Sequence, residues 1–289
     1  MDLFSINSIK AILQRHGFHF SKSLGQNFLT ERFVCEKIAE LSEITKEDCV
    51  LEIGPGIGSL TSELAYCAKK VVAVEIDKSL LPVLNETLSS FDNIKVINSD
   101  IMKCDLPSLI KQEFDGNLPK VCANLPYYIT TPIISHLIRS RLFTSITTMI
   151  QKEVALRICA KAGTSDYGAF TVFVQYFTEP EYLFTVDKEC FIPQPKVQSA
   201  VVRLNMREKP LVCPKSEDMF FRVVKASFAQ RRKQLANSLF SDFKNEISKE
   251  QITNILISAG HKPTVRGEEL TIEDFCTISD EIFSICKGL

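Results

Sequence analysis

The sequence predicts an α/β fold in which a mostly parallel, seven-stranded sheet is followed by a small all-α domain. Short β-branched runs alternate with helix-like stretches along the first 200 residues, and helical periodicity dominates after about residue 216. The strand-like runs are residues 50–53, 71–76, 94–97, 120–123, 145–150, 182–186 and 200–204. Strands that alternate with helices at this spacing build βαβ units, whose strands pair in parallel.

The length of 289 residues exceeds that of a usual single core, so two domains are expected. Residues 208–216 contain Pro210, Pro214 and several charges, a composition typical of a linker. We therefore predict a first domain over residues 1–208 and a helical second domain over residues 209–289.

Composition excludes several classes of protein. The net charge of −1 means that any nucleic-acid binding must come from local basic clusters. The ten cysteines are widely spaced without a CxxC pair, which favours reduced thiols and no metal site. No apolar run approaches the roughly 18 residues of a membrane span, and no signal peptide is recognisable, so we expect a cytoplasmic protein.

A glycine-rich segment, Gly-Pro-Gly-Ile-Gly at residues 54–58, follows the first predicted strand and precedes a helix. Its GxGxG spacing differs from the GxGxxG of dinucleotide-binding folds. Glu75 comes twenty-one residues after Gly54, near the usual offset of a carboxylate that binds ribose hydroxyls, and Asp100 follows the third strand. The glycines alone would equally suit a structural turn, but three features at one sheet edge favour a nucleotide-type cofactor.

The tetrapeptide Asn-Leu-Pro-Tyr at residues 124–127 follows the fourth strand. This tetrapeptide suits the methylation of an exocyclic adenine amine. The lone pair of such an amine is delocalised into the ring, so the site must hold the nitrogen with hydrogen-bond acceptors. The Asn124 side-chain oxygen and a backbone carbonyl beside the rigid Pro126 suit that task. Tyr127 offers a flat face for a base taken out of its stack. A strand-to-loop turn is the alternative interpretation of this segment.

At these residues the sequence resembles the ribosomal RNA adenine dimethyltransferase family. Three further segments carry the likeness: Leu-Gly-Gln-Asn-Phe-Leu at residues 24–29, Phe-Ile-Pro-Gln-Pro-Lys-Val at 191–197, and Phe-Ala-Gln-Arg-Arg-Lys at 228–233. The resemblance spans nearly the whole chain. It implies a Rossmann-like class I methyltransferase fold and the cofactor S-adenosyl-L-methionine.

The resemblance also implies roles for individual residues. The cofactor-binding set would be Asn27, Leu29, Gly54, Gly56, Glu75, Ile76, Asp100, Ile101 and Asn124. Asn124 and Pro126 would hold the target amine, and Tyr127 and Phe191 would sandwich the target base. Ile101, where many relatives carry a smaller residue, would tighten the pocket for the cofactor's adenine. Without the resemblance, Asn27 would be interpreted as a cap or turn residue and Phe191 as a core aromatic.

Two branches of the family modify different RNAs. One dimethylates two adjacent adenosines in the 3′-terminal hairpin of small-subunit (16S) rRNA, and the erythromycin-resistance branch modifies one large-subunit adenosine. Residues 22–29 and 231–233 resemble the small-subunit branch. The resemblance thus implies a monomer that acts on small-subunit rRNA in a pre-ribosomal particle during ribosome biogenesis.

A basic stretch in the second domain is the candidate RNA-holding surface. We predict one helix over residues 219–240, with Phe221, Val224, Phe228, Leu235 and Leu239 near its buried face. The predicted RNA-binding residues are Lys22, Arg222, Lys225, Arg231, Arg232 and Lys233. Phosphate contacts of this kind give affinity with strong salt dependence. A solvated charge run is the competing interpretation.

Two other functions agree less well with the sequence. A noncatalytic nucleic-acid-binding relative could keep the fold and lose the acceptor cluster, but residues 124–127 are intact here. A nicotinamide-dependent oxidoreductase is disfavoured by the glycine spacing.

Overall fold

The computed structural model describes residues 2–20 and 24–288. Within these residues the chain forms nine β-strands: β1 (Phe28–Leu29), β2 (Cys49–Ile53), β3 (Lys70–Glu75), β4 (Ile94–Asn98), β5 (Lys120–Asn124), β6 (Ser145–Gln151), β7 (Thr178–Val186), β8 (Phe191–Ile192) and β9 (Ser199–Met206). The same residues form twelve α-helices: α1 (Ile6–Arg15), α2 (Arg32–Leu41), α3 (Ser59–Cys67), α4 (Leu81–Thr87), α5 (Leu106–Phe114), α6 (Thr130–Ser140), α7 (Lys152–Ile158), α8 (Ala169–Phe177), α9 (Glu217–Phe228), α10 (Leu235–Phe243), α11 (Lys249–Ser258) and α12 (Ile272–Lys287).

The main sheet has seven strands in the order β4-β3-β2-β5-β6-β9-β7, which confirms the predicted fold class. Strand β2 pairs in parallel with β3 and β5, β3 with β4, and β5 with β6, whereas β9 runs antiparallel to β6. Since β2 to β6 run the same way, their carboxyl ends meet at one edge of the sheet, where ligands of open α/β sheets bind.

The central strands are buried on both sides, because successive residues that point to opposite faces, such as Val50 and Leu51, are both fully buried. On one face, Val50 and Cys122 pack into a cluster that includes Ile38 of α2 and Leu64 of α3. A second cluster joins α1 to the residues around α4. This enclosure explains why the strands appear as continuous apolar runs in the sequence.

A two-stranded antiparallel sheet lies apart from the main one. Strand β1 pairs with β8, with Phe28 opposite Ile192 and Leu29 opposite Phe191. Neither strand was predicted from the sequence, because a two-residue strand has no periodicity to detect. The pair fixes Asn27, which directly precedes β1, to the segment that contains Phe191.

Several helices start at a side-chain cap. Ser216 precedes α9 and accepts a hydrogen bond from the Met219 amide at 3.2 Å. Ser248 before α11 and Thr271 before α12 form capping boxes with residues three positions on. These side chains satisfy amides that the first helical turn leaves without partners.

The chain divides into two compact units, one formed by residues 1–155 and 180–206 and the other by residues 156–179 and 207–289. The sequence-based boundary at residue 208 had placed residues 156–179 in the first domain. The structure packs them with the second unit, because Tyr176 and Phe177 of α8 contact Phe220 and Phe221 of α9. These ring contacts join residues some forty positions apart, which sequence periodicity does not reveal.

The single helix predicted over residues 219–240 is wrong. Helix α9 ends at Phe228 and α10 begins at Leu235, and residues 229–234 form a turn. Tertiary contacts fix this break: the Phe228 ring packs against Phe275, and the Leu235 amide donates to the Val265 carbonyl at 2.8 Å. Among the described residues, no helix is long and apolar enough to cross a membrane.

Candidate active site

A cavity opens at the carboxyl edge of β2, β3 and β5, within the first unit. Most of the predicted cofactor and target residues line it, namely Asn27, Leu29, Gly54, Gly56, Glu75, Ile76, Asn124, Pro126 and Tyr127. Parallel pairing explains the convergence, because Ile53 lies opposite Val74 and Glu52 opposite Cys122. The loops after these three strands therefore leave the sheet side by side.

The glycine loop brings backbone to the surface of this cavity. Gly54 has φ +69°, in the left-handed region that favours glycine, and no heavy atom lies within 4 Å of where its Cβ would stand. The space beside the Gly54 backbone is thus open. At Gly56, with φ +61°, a Cβ would stand 3.1 Å from the Phe28 ring, so a side chain there would disturb the wall of the cavity.

Glu75 ends β3 and is only 4% exposed, although it lines the cavity. One carboxylate oxygen accepts the Asp77 amide at 2.7 Å. Burial raises the pKa of Glu75 to about 7, while hydrogen bonds from the backbone of Asp77 and Gly56 act in the opposite direction. The result is a buried acceptor at the cavity wall that can take hydrogen bonds from a bound diol.

Glu52 is a second buried carboxyl in the cavity wall, and the sequence motifs gave it no role. It is 1% exposed, and among the described residues its Oε2 atom has no hydrogen-bond partner. Burial, together with the nearby charge of Glu75, raises the pKa of Glu52 to about 8. Its position two residues before Gly54, near the end of a strand that leads into the glycine loop, is the sequence feature that could have placed Glu52 in the site.

A short chain of hydrogen bonds orients Asn124. Its Nδ2 donates to the Asn27 carbonyl at 3.2 Å, and the Asn27 side chain donates to the Gly25 carbonyl at 3.0 Å. Because the amide nitrogen is held in this way, the Asn124 Oδ1 atom is the group left to accept a hydrogen bond.

The following turn adds a second acceptor. The Pro126 carbonyl already accepts the Thr130 hydroxyl at 3.0 Å and the Ile129 amide at 3.3 Å. The carbonyl of Leu125, which directly precedes the proline, is therefore the backbone acceptor that this turn offers to a ligand. The Leu125 amide donates to Met149 of β6 at 3.1 Å, which ties the turn to the sheet.

The two aromatic residues predicted to hold the target base differ in their surroundings. Tyr127 lines the cavity, and its hydroxyl hydrogen-bonds to the Ser199 hydroxyl at 2.5 Å, which fixes the ring. Burial raises the pKa of the Tyr127 hydroxyl, which therefore stays protonated. Phe191 is 3% exposed, packs in the core beside Leu29 and does not line the cavity. In this structure, therefore, only Tyr127 of the two predicted aromatic residues is available at the cavity to stack on a base.

The residues predicted for the cofactor's adenine lie at the same sheet edge but outside the cavity lining. Asp100 follows β4, and its carboxylate accepts the Met102 amide at 3.0 Å, while Ile101 is buried. The neighbouring Asn98 side chain donates to the Glu75 carbonyl at 2.7 Å. This bond places the end of β4 beside the end of β3.

A family model described as ribosomal RNA adenine dimethylase matches residues 17–283. The chain belongs to this family. The family and the enzyme class implied by the sequence resemblance are thereby confirmed, and the cavity lies where the motifs of an adenine dimethylase were expected.

Curated relatives and solved structures that resemble this chain agree with this assignment. "Ribosomal RNA small subunit methyltransferase A" of Streptococcus thermophilus is 50% identical over 276 residues, which cover 94% of this chain and 95% of the relative. The crystal structure of the 23S rRNA methyltransferase ErmE aligns with a TM-score of 0.69 at 28% identity, over 89% of this chain and 99% of that one. A dimethyladenosine transferase from Plasmodium falciparum aligns with a TM-score of 0.71 at 27% identity, over 86% and 95%.

The basic residues predicted to hold RNA fall into two groups in this adenine dimethylase. Arg222 donates to Asp242 at 2.8 Å and to Glu246 at 2.7 Å, and Arg231 donates to the Tyr167 carbonyl at 2.8 Å. These two guanidinium groups therefore have structural partners within the second unit.

Three of the other predicted RNA-binding residues are exposed. Lys225 is exposed on α9, and Arg232 and Lys233 are exposed on the turn that follows it. Lys22 lies outside the described residues. Among the residues that the structure describes, no cluster of three His, Cys, Asp or Glu side chains could hold a metal ion.

Proposed function

We propose that this protein transfers methyl groups to the N6 amines of two adjacent adenosines in the 3′-terminal hairpin of small-subunit (16S) rRNA. The product would be N6,N6-dimethyladenosine. The observation that carries the proposal is the Asn124 amide, oriented by the Asn27 carbonyl so that its oxygen is left to accept at the cavity. The small-subunit target is supported by the name of a relative at 50% identity, against 28% for the large-subunit enzyme ErmE.

We propose S-adenosyl-L-methionine as the cofactor, and two features of the cavity support it. The open space beside Gly54 admits a ligand close to the backbone, and the buried Glu75 carboxylate offers an acceptor for ribose hydroxyls. Leu29 and Ile76 add apolar wall, and Asp100 and Ile101 lie beside the end of β3 for the adenine. When bound, the cofactor supplies an electrophilic methyl group on its sulfonium.

The residues of the chain would prepare the amine for this methyl group. The Asn124 Oδ1 atom and the Leu125 carbonyl would accept hydrogen bonds from the two N–H groups of the amine, which draws the nitrogen lone pair out of conjugation and fixes its direction. The Tyr127 ring would stack against the base. Holding the nitrogen in line, at about 3 to 3.5 Å from the methyl carbon, is the contribution that the site is built to make.

Phe191 could form the second face of the base site only if the residues covering it moved. In the described structure Phe191 is 3% exposed within a core cluster that also contains Leu29. We retain the Phe191 role as a prediction with this condition attached.

Lys225, Arg232 and Lys233 are the side chains we propose for binding phosphates in the second unit. Contacts of this kind position structured RNA without reading its sequence. Arg222 and Arg231 would act mainly by holding this surface in shape.

We further propose a pre-ribosomal particle as the substrate and therefore a cytoplasmic site of action. We also propose that the protein acts as a monomer.

The decisive experiment is methyl transfer from labelled S-adenosylmethionine to small-subunit and large-subunit particles that lack the modification. Dimethyladenosine mapped to two adjacent adenosines of the small-subunit hairpin is the expected product. Absence of transfer to small-subunit particles at permissive salt would refute the proposal. Calorimetry with S-adenosylhomocysteine and with NAD tests the cofactor separately, and only the first should bind.

A further inference from the structure

Tyr128 is an exposed aromatic residue at the edge of the candidate active site. Its side chain is 59% exposed, yet it lines the same cavity as Asn124 and Tyr127. A tyrosine has an apolar ring face and a polar hydroxyl, so a tyrosine exposed at a cavity is a candidate for contact with a ligand.

The environments of the two neighbouring tyrosines differ. Tyr127 is half-buried and its hydroxyl is held by Ser199 at 2.5 Å, so its ring has a fixed place inside the cavity. Tyr128 follows directly in the chain and points to the rim. Two consecutive rings thus mark an inner and an outer position at one turn.

Although it is exposed, the Tyr128 ring is held in place by a contact with the N-terminal segment. A Cβ on Gly25 would stand 3.4 Å from the Cδ1 atom of Tyr128, so the ring lies directly against the Gly25 backbone. The Gly25 carbonyl accepts the Asn27 side chain, and the Asn27 carbonyl accepts Asn124. The outer ring therefore rests on the same segment that orients the acceptor for the target amine.

We propose that Tyr128 stacks on the nucleotide adjacent to the target adenosine and so positions the RNA strand at the mouth of the cavity. The inference rests on the proposed function and adds a positioning residue to it. Every base has a flat face, so an exposed tyrosine can hold a neighbouring base without reading its identity. Because an RNA strand has a fixed direction, the ring would hold the nucleotide on one side of the target, which is the other modified adenosine in one of the two methylations.

The test uses the full-length protein and small-subunit particles that lack the modification. The variants are Tyr128→Ala, Tyr128→Leu and Tyr128→Phe, with Tyr66→Ala as a matched control, because Tyr66 is 63% exposed and does not line the cavity. For each protein, kcat and KM for particles are measured at saturating cofactor, and S-adenosylhomocysteine affinity is measured by calorimetry. Thermal unfolding checks that each variant is folded.

Loss of one base stack should lower kcat/KM for particles by roughly 5- to 150-fold in Tyr128→Ala, mainly through KM. The kcat/KM of Tyr128→Leu should fall by a similar factor. The kcat/KM of Tyr128→Phe should stay within about twofold of the wild-type value, because phenylalanine keeps the ring. Cofactor affinity and the Tyr66→Ala control should not change.

Three results would overturn the inference while leaving the proposed function intact. They are an unchanged kcat/KM in Tyr128→Ala, full rescue by leucine, and a loss of S-adenosylhomocysteine affinity that accounts for the defect and assigns Tyr128 to the cofactor. A wild-type protein that transfers no methyl group to particles would refute the proposed function itself, and this inference with it.

Discussion

Replacing Glu52 by glutamine should stabilise the folded protein by an amount that grows as the pH rises. Glu52 is buried in the cavity wall, where desolvation raises the pKa of its carboxyl to about 8. An acid with a raised pKa keeps its proton in the folded protein while the unfolded chain releases it. Its contribution to stability is therefore fully present below the unfolded pKa of about 4.5 and is lost as the pH rises through the folded pKa.

The size of the effect follows from the pKa difference. Between about pH 5.5 and 8, the raised pKa of Glu52 alone should remove roughly 1.4 kcal/mol per pH unit from the free energy of unfolding, with the slope flattening near pH 8. Over this pH range the decrease assigned to Glu52 is about 3 kcal/mol. Glutamine does not ionise, so the difference in unfolding free energy between Glu52→Gln and the wild type should grow by that amount.

Urea unfolding followed by far-ultraviolet circular dichroism at a series of pH values measures this difference. Glu75→Gln is a graded control: burial raises the pKa of Glu75 only to about 7, so its gain should level off at lower pH. Glu47→Gln changes an exposed carboxyl and should show no such dependence. A Glu52→Gln difference that stays constant within about 1 kcal/mol from pH 5.5 to 8 would refute the reasoning.

Three further predictions concern the proposed activity. Asn124→Ala should lower kcat for methyl transfer by roughly 100-fold or more, because it removes a positioned acceptor, and single-turnover assays with bound particles will show whether the chemical step is affected. Gly54→Ala should weaken S-adenosylhomocysteine binding in calorimetry, because a methyl group would enter the open space and the φ of +69° strains any L side chain. Replacing Lys225, Arg232 and Lys233 by alanine should reduce the slope of log affinity against log salt by about 0.7 to 0.9 for each phosphate that is no longer neutralised, and an unchanged slope would remove these residues from the RNA surface.

The sheet could be predicted from the sequence because its central parallel strands, β2, β3, β5 and β6, are buried on both faces and appear as short apolar runs. The same edge geometry predicted that Gly54, Glu75 and Asn124 would lie together, and all three line the cavity. The local sequence pattern and the order of the strands were sufficient for these predictions, because the residues concerned all lie at or directly after the carboxyl ends of strands in the βαβ units.

Other features depended on contacts between residues far apart in the chain. Arg222 looked like one of several free cations on a helix face, but Asp242 and Glu246 approach it only because α10 turns back against α9. The turn at residues 229–234 has the same origin, because Phe228 and Leu235 pack against partners that periodicity alone does not identify. Sequence spacing reports which residues share a face, and it does not report which distant partner covers that face.

The N-terminal segment has a larger part in the site than its motif suggested. The pairing of β1 with β8 places Leu29 opposite Phe191, and the residue before β1, Asn27, accepts the Asn124 amide. When the side-chain nitrogen of an asparagine is held by a hydrogen bond, its oxygen is left to accept one. The bond to Asn27 therefore leaves Asn124 with the acceptor that an amine donor requires. The Tyr128 ring rests on Gly25 in the same segment. The orientation of the acceptor, the burial of Phe191 and the position of the outer ring therefore depend on one stretch of chain, and a change in that stretch should alter target binding and cofactor binding together.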